Sequence, residues 1–381
     1  MDFKKTEEQE LLLESLRELL TREMPESYLK ECDEQHQYPT KLAKALVDNG
    51  FSLLGIPEEY GGTPADILTQ ILVIEEIAKA GGPFYLFTTA MQIDDMLTFG
   101  NEEQIRLTME HAIKTGDAAF CLGITEPQAG SDDNAMLASA TRKNGKVYLN
   151  GHKTFISGAD RAPYILFFTR DVNAPNPHKA VSSWWVPMDA PGITIEPIHK
   201  VGTWVNSACD VYFNDVEVEE KDLVGKEGEG FMNLMKNFEI ERLALMAGCL
   251  GWAECAFEDA ARYANQRVQF GKPIGTYQLT QEKITNMYVK IENMRNMIYK
   301  SCWEKDNKIS VQISSAMAKY YCAKACNEVI DDAVQIFGGI GYTSDHRVSR
   351  LWRDARVKRI GGGTDEIMIH ILGRAILKQY K

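Results

Sequence analysis

No CxxC pair and no Cys/His cluster occurs in the sequence: the eight cysteines fall at positions 32, 121, 209, 249, 255, 302, 322 and 326, scattered along the chain. That scatter supports neither a zinc site nor a disulfide framework. Cys322 and Cys326, four apart, are expected to stack on one helix face as packing residues. Among the seven histidines only His36 stands close to a cysteine, four residues after Cys32, and no second His or Cys joins that pair, so all are read as structural or surface residues. Long apolar runs are missing too. Tyr164-Ile165-Leu166-Phe167-Phe168 is among the longest, far short of the ~20 residues a spanning helix needs. There is no basic excess: Lys+Arg 42 against Asp+Glu 54 gives −12, a balance that argues against a nucleic-acid groove or an anionic membrane surface as partner. Any anionic ligand must then be met by local donors. No GxGxxG follows a candidate strand, which disfavours a dinucleotide-binding βαβ unit. The start Met1-Asp2-Phe3-Lys4-Lys5-Thr6-Glu7-Glu8 has neither an apolar h-region nor an Arg/Ser-rich transit character, and a cytoplasmic protein is expected.

What is present fits an ordinary globular chain, with 44% hydrophobic and 25% charged residues and a length suited to two or three domains. Three zones of different periodicity follow one another, with no fixed internal repeat. Over 1–116 the apolar spacing is helical, with Leu12, Leu16, Leu19 and Leu20 on one face and Ile67, Ile71, Leu72, Ile74 and Ile77 on another. Over 117–225 it shifts to short alternating or β-branched runs: 146–149, 164–168, 182–186 and 210–213, punctuated by Asn144-Gly145 and Asn150-Gly151. Over 226–381 long helical patterns return, with Pro273 the only proline. Strands confined to the middle predict an α+β chain: an N-terminal helical domain, a mostly antiparallel β domain and a C-terminal helical domain.

Several segments carry candidate chemistry. Thr125-Glu126-Pro127-Gln128-Ala129-Gly130-Ser131-Asp132 gathers hydroxyls, small residues and free N–H groups in one loop able to hold a flat heterocycle or a phosphate; it fits a polar corner equally. Glu241 stands among Phe238, Ile240, Leu243, Leu245 and Met246, and a carboxylate in apolar surroundings has the raised pKa of a general base working near neutral pH. A solvated face made of Glu239, Glu241 and Arg242 is the other reading of the same residues. Arg267-Val268-Gln269-Phe270-Gly271-Lys272-Pro273 offers a guanidinium, an amide and a ring that could clamp a pyrophosphate, or simply complements a helix C-terminus. Gly361-Gly362-Gly363-Thr364-Asp365-Glu366 reads as an anion or carbonyl site built of N–H groups, or as a plain N-cap after a tight turn.

These segments, in this order, resemble the acyl-CoA dehydrogenase family over essentially the whole chain. The resemblance rests on Thr125-Glu126-Pro127-x-Ala129-Gly130-Ser131-Asp132, Asn150-Gly151-His152-Lys153-Thr154-Phe155-Ile156-Ser157, Gly225-x-x-Gly228-x-Gly230-Phe231, Arg267-x-Gln269-Phe270-Gly271, Gln335-Ile336-Phe337-Gly338-Gly339-x-Gly341-Tyr342 and Gly363-Thr364-Asp365-Glu366. Within the family the chain looks similar to bacterial enzymes of anaerobic metabolism and to crotonobetainyl-CoA reductase. The resemblance implies FAD at a subunit interface of a homotetramer built as a dimer of dimers, with a C-terminal four-helix bundle. It implies that Thr125 bonds the flavin ring, that Phe155 (where many members carry Trp) and Ser157 line it, and that Thr364 and Glu366 hold it from the same subunit. Arg267, Phe270, Gln278, Gln335 and Gly339 are implied as the neighbouring subunit's grip on the ADP half. Ser131, Arg242, Gly362 and Gly363 fall on the substrate side, the Gly362 N–H and a ribityl hydroxyl polarising the thioester carbonyl.

One departure locates the base. Most members place the catalytic glutamate in a Tyr-Glu-Gly-Thr pattern, and here those first two positions are Gly361 and Gly362. A smaller group, including isovaleryl-CoA and long-chain acyl-CoA dehydrogenases, carries it at the position matching Glu241. The resemblance therefore implies Glu241 as the catalytic residue, an acyl-CoA or enoyl-CoA substrate and electron-transferring flavoprotein as partner. Direction stays open between acyl-CoA oxidation and enoyl-CoA reduction. A non-catalytic acyl-CoA-binding paralogue is the reading from another class, against which Glu241 argues. The small Gly361 and Gly362 lead to an expected tolerance of substituted or polar short acyl chains.

Overall fold

The computed structural model describes residues 4–84, 88–176 and 179–381. Its helices are α1 (Glu7–Glu23), α2 (Glu26–Glu34), α3 (Thr40–Asp48), α4 (Ile67–Lys79), α5 (Thr88–Phe99), α6 (Glu102–Thr115), α7 (Gly230–Gln266), α8 (Gln278–Asp306), α9 (Gln312–Phe337), α10 (Arg347–Ala355) and α11 (Asp365–Lys378). Its strands are β1 (Phe120–Gly123), β2 (Ser139–Lys143), β3 (Lys146–Ser157), β4 (Tyr164–Arg170), β5 (Val181–Pro187), β6 (Ile193–Pro197), β7 (Ala208–Val218), β8 (Val268–Gln269) and β9 (Lys272–Pro273). The α+β class read from periodicity is the one observed. The chain divides into two compact units, one of Met1–Glu31, Pro64–Tyr85 and Glu239–Lys381, the other of Cys32–Thr63 and Leu86–Phe238.

In the second unit the strands form a three-stranded sheet in the order β1-β4-β5 and a four-stranded sheet in the order β2-β3-β7-β6. Only β1–β4 is parallel among these pairings. Buried Phe167, Trp184 and Val186 of one sheet join Leu149, Val211 and Phe213 of the other in a single core, with the Phe167 and Phe213 rings stacked at 3.9 Å. Asn144 and Gly145 both take positive φ (53° and 74°), the geometry of a tight hairpin turn that lets β2 and β3 pair in register. Asn150-Gly151, read above as a second break, instead lies inside β3. The pairing with β7 slips there, and a Cβ on Gly151 would come within 2.6 Å of the Ala138 Cβ. The glycine marks a bulge and a close approach, not a chain reversal.

The first unit is helical, and its helices start where side chains can satisfy orphan N–H groups. Thr6 and Gln9 form a capping box on α1, and the Asp66 carboxylate accepts from the Thr69 N–H at 2.7 Å to open α4. On α1 the buried face runs through Leu13, Leu16, Leu19 and Leu20; the expected Leu12 is half-buried at its edge. Cys322 and Cys326 are both fully buried on α9, as expected of packing cysteines. Two glycines let neighbours approach α7 closely. A Cβ on Gly248 would overlap the Phe84 ring at 2.2 Å, and one on Gly251 would stand 2.3 Å from the Glu75 carbonyl oxygen of α4. Gly251→Ala is therefore expected to cost about 1–3 kcal/mol by forcing α4 off α7, read as a lower urea midpoint. An unchanged midpoint would show that the crossing yields freely.

Candidate active site

The candidate residues fall in both units, each set described within its own. In the β-containing unit, β1 delivers the chain to a loop that closes on itself through Glu126 N–H to Ala129 O and Ala129 N–H to Glu126 O, both at 3.0 Å. Thr125 is half-buried at its start and Ser131 is exposed further along. The Thr154 N–H donates to the Thr125 carbonyl at 2.9 Å, so the loop is stitched to β3 at a second irregularity, where the pairing with β7 slips between Lys153 and Ile156. Here Phe155 takes φ 58° and remains 64% exposed. A non-glycine residue in this region costs about 1–3 kcal/mol and persists only where surroundings impose it. Ser157 is exposed two residues on. Beside the bulge His152 pairs with Asp210 at 2.9 Å and stacks on Tyr212 at 4.2 Å, while the Thr154 side chain and His152 hold the Asp210 carboxyl below its ordinary range.

In the helical unit, α7 presents Glu241, half-buried, beside the buried Arg242. Burial pushes the Glu241 carboxyl up, and the charges of Arg242, Lys358 and Lys319 pull it partly back. Sequence reasoning missed both lysines. Lys319 is fully buried on α9 and donates to the Lys358 carbonyl at 2.6 Å; burial pulls its ammonium down to about 8. The Lys358 ammonium lies 4.6 Å from the Phe84 ring centroid and 5.5 Å from that of Trp252, and burial lowers its pKa as well. Lys319 left a legible signal. It occupies a position of the apolar stripe that also holds Ser315, Ala316, Cys322, Ala323 and Cys326, where a lysine is out of place.

The Gly361–Gly363 turn leads into α11. Gly362 and Gly363 take φ 69° and 98°. A Cβ on Gly362 would meet the Leu245 side chain at 2.9 Å and the Lys319 Cε at 3.8 Å, and one on Gly363 the Met368 side chain at 2.6 Å. Gly362 thus sits against the residue one turn beyond Glu241, in a conformation a glutamate would adopt only with strain. The Thr364 hydroxyl accepts from the Ile367 N–H at 3.3 Å, so the N-cap reading of this segment is realised. Glu366 is exposed, and first-turn N–H donation holds its carboxyl low.

At its far end α7 stops at Arg267, where the sequence places the close of one long helix ahead of the next, and the connection carries a short hairpin, β8–β9. Phe270 and Gly271 form its tip with φ 52° and 82°, and Phe270 is 95% exposed. Arg267, Gln269 and Gln278 are exposed around it, as are Gln335 and Gly339 at the end of α9; the Tyr263 and Phe337 rings, 4.7 Å apart, bring the ends of α7 and α9 together. Arg267 and Phe270 do not join Glu241, which lies near the other end of the helix. The side chain of Phe231, part of the Gly225–Phe231 motif, lies outside the described residues. Among the described residues no group of His, Cys, Asp or Glu could hold a metal, and no helix is long and apolar enough to cross a membrane.

The residues present fit a flavin dinucleotide. A flat ring with one polar edge suits an exposed aromatic held beside a hydroxyl-bearing loop, as Phe155 is beside Thr125, and an exposed Arg, Gln and Phe suit a pyrophosphate and an adenine. Three domain families match in order: acyl-CoA dehydrogenase N-terminal domain at residues 6–114, middle domain at 121–216 and C-terminal domain at 228–377. The probable acyl-CoA dehydrogenase YdiO of Escherichia coli strain K12 is 56% identical over 381 residues, covering 100% of both chains. The chain belongs to the acyl-CoA dehydrogenase family. Members of this family are flavin oxidoreductases acting on CH–CH bonds. Among solved structures, butyryl-CoA dehydrogenase from Megasphaera elsdenii matches at 30% identity and TM-score 0.91, over 99% of this chain and 100% of the other. A chain from work on the electron transferring flavoprotein of Acidaminococcus fermentans matches at 31% and 0.90 over the same shares. PigA, solved with FAD and proline, matches at 26% and 0.92 over 100% of both.

Glu241 carries a stability signature of its own. Its folded pKa lies above the ordinary carboxylate value, so between those two values the folded chain holds a proton the unfolded chain has lost, and stability falls as pH rises through that window. Glu241→Gln is expected to raise the melting temperature at neutral pH, with the gain shrinking as pH drops toward the ordinary carboxylate range. A pH-independent difference would place the carboxylate in water.

Proposed function

We propose that the protein is an FAD-dependent acyl-CoA dehydrogenase in which Glu241 removes the α-proton of an acyl-CoA thioester, giving a trans-2-enoyl-CoA. The observation that carries this reading is a carboxylate with burial-raised pKa on α7, one turn from Leu245, the side chain facing Gly362 at the position where most of the family carries its base. An α-proton beside a thioester is weakly acidic, and its removal calls for a desolvated base and a polarised carbonyl. Glu241 supplies the first, and the Gly362 N–H is assigned the second. Bound FAD supplies the acceptor for the hydride leaving Cβ. Thr125, Phe155 and Ser157 are assigned to orient its ring, Thr364 and Glu366 to hold it, and Ser131, Arg242 and Gly363 to serve the substrate. Electron-transferring flavoprotein takes the electrons onward, in keeping with the structural likeness to a chain studied with such a protein.

Arg267, Phe270, Gln278, Gln335 and Gly339 are assigned to the ADP half of the cofactor bound by a second copy of the chain. Along α7 Glu241 and Arg267 are separated by about 39 Å at 1.5 Å per residue, so the two sets serve different ends of the helix. That separation supports a second copy of the chain at the cofactor, and the homotetramer is what the family resemblance implies.

The same raised pKa favours a second direction. A carboxyl that burial holds above its ordinary range keeps its proton to higher pH than usual and can return it to Cα, so the site also suits reduction of an enoyl-CoA. The test is an anaerobic visible spectrum of the purified protein during titration with a panel of saturated acyl-CoAs. Bleaching of a flavin band by a short or substituted chain is the expected result. A flavin band untouched by any of them would favour the reductase direction, and no band even after reconstitution with FAD would sink the enzyme reading.

A further inference from the structure

Among the described residues no ion pair is more deeply buried than Lys153–Glu126, whose side chains are 0% and 2% exposed. The Lys153 ammonium donates to Glu126 Oε1 at 2.7 Å and to the Ile124 carbonyl at 3.0 Å, 5.3 Å from the Phe167 ring centroid. The same Glu126 oxygen accepts from the Ala138 N–H at 3.0 Å. Its other oxygen accepts from the Leu137 N–H at 2.7 Å and from Gln128 Nε2 at 2.6 Å. One carboxylate therefore closes the whole loop from Thr125 to Ala138.

Stability alone explains this arrangement poorly. Burying two charges costs several kcal/mol per ion, and apolar residues of the same volume are often as stable. Here burial pulls the ammonium down to about 8. What the pair does supply is position. The ammonium fixes the residues on either side of Thr125, and the Thr154 N–H fixes the Thr125 carbonyl itself. Three successive acceptors are thus tied to Lys153-Thr154, directly before the bulge that holds Phe155 at φ 58°.

The geometry points to Lys153 and Glu126 as positioning residues that set where Thr125 and Ser131 stand against Phe155, and through them the pose of the flavin ring and of the acyl-CoA. This rests on the reading that Thr125 and Phe155 face the flavin. Lys153→Met alone strands a buried carboxylate and endangers the fold, so the decisive protein is the double variant Lys153→Met/Glu126→Gln, which removes both charges at similar volume. As the FAD-loaded full chain it is expected to keep its circular dichroism and its cofactor, to show a flavin band altered in position or vibrational resolution, and to lose on the order of 10²-fold in the rate of flavin reduction by acyl-CoA. A folded variant with the wild-type band and rate overturns the assignment. So does one that fails to fold, since the pair would then be a stability element. Wild-type protein that takes up no FAD fails the underlying reading instead, and takes this one with it.

Discussion

Glu241→Gln is expected to slow substrate-driven bleaching of the flavin by roughly 10²–10⁴-fold, the usual worth of a positioned general base, while FAD content and thioester binding stay near wild type. Gln matches Glu in shape and cannot take a proton, so the loss reports the chemical step. The pH profile adds an independent check. Burial disfavours the ionised form of Glu241, so kcat/KM for a saturated thioester should rise with pH along a limb centred above the ordinary carboxylate range. For an enoyl-CoA reduced by the same site, the limb should fall over the same interval, because the acid must then be protonated. Both limbs should vanish in the variant. A wild-type profile flat across that interval, together with a variant that still bleaches at the wild-type rate, would move the base to another residue.

How far this was legible in the sequence depends on what each residue needed from its surroundings. Zones of helix and strand were readable because periodicity is local, and the tight turn at Asn144-Gly145 was readable because both residues tolerate positive φ. Asn150-Gly151 has the same composition but sits inside β3; only the approach of Ala138 tells a bulge from a turn. Glu241 could be read from its neighbours as either buried base or solvated face. Its surroundings come from Lys319 on α9 and Lys358 before α11, both far along the chain, and no local window contains them. Lys153 was present in a recognised motif without a role, since its partner Glu126 belongs to a loop before the strand.

Phe270→Asn separates the local demands of the hairpin from those of the proposed cofactor grip. At the tip of β8–β9, Phe270 and Gly271 both have positive φ, a pair of positions that favours Asn-Gly and penalises an aromatic. The substitution should therefore leave the hairpin intact or better formed, and the Tyr277 hydroxyl should still reach the Gln269 carbonyl, 3.0 Å away. A ring that is 95% exposed also contributes almost nothing to the fold of one chain. If it instead covers the ADP half of FAD in a second copy, its loss removes burial worth about 2 kcal/mol, or roughly 30-fold in FAD affinity. Equilibrium dialysis of FAD alongside the melting temperature of the apoprotein tests this directly. Weaker FAD binding with an unchanged or higher apoprotein melting temperature is the expected result; unchanged affinity would mean that the ring covers no cofactor, and a lower melting temperature would mean that the exposed ring serves the chain's own fold.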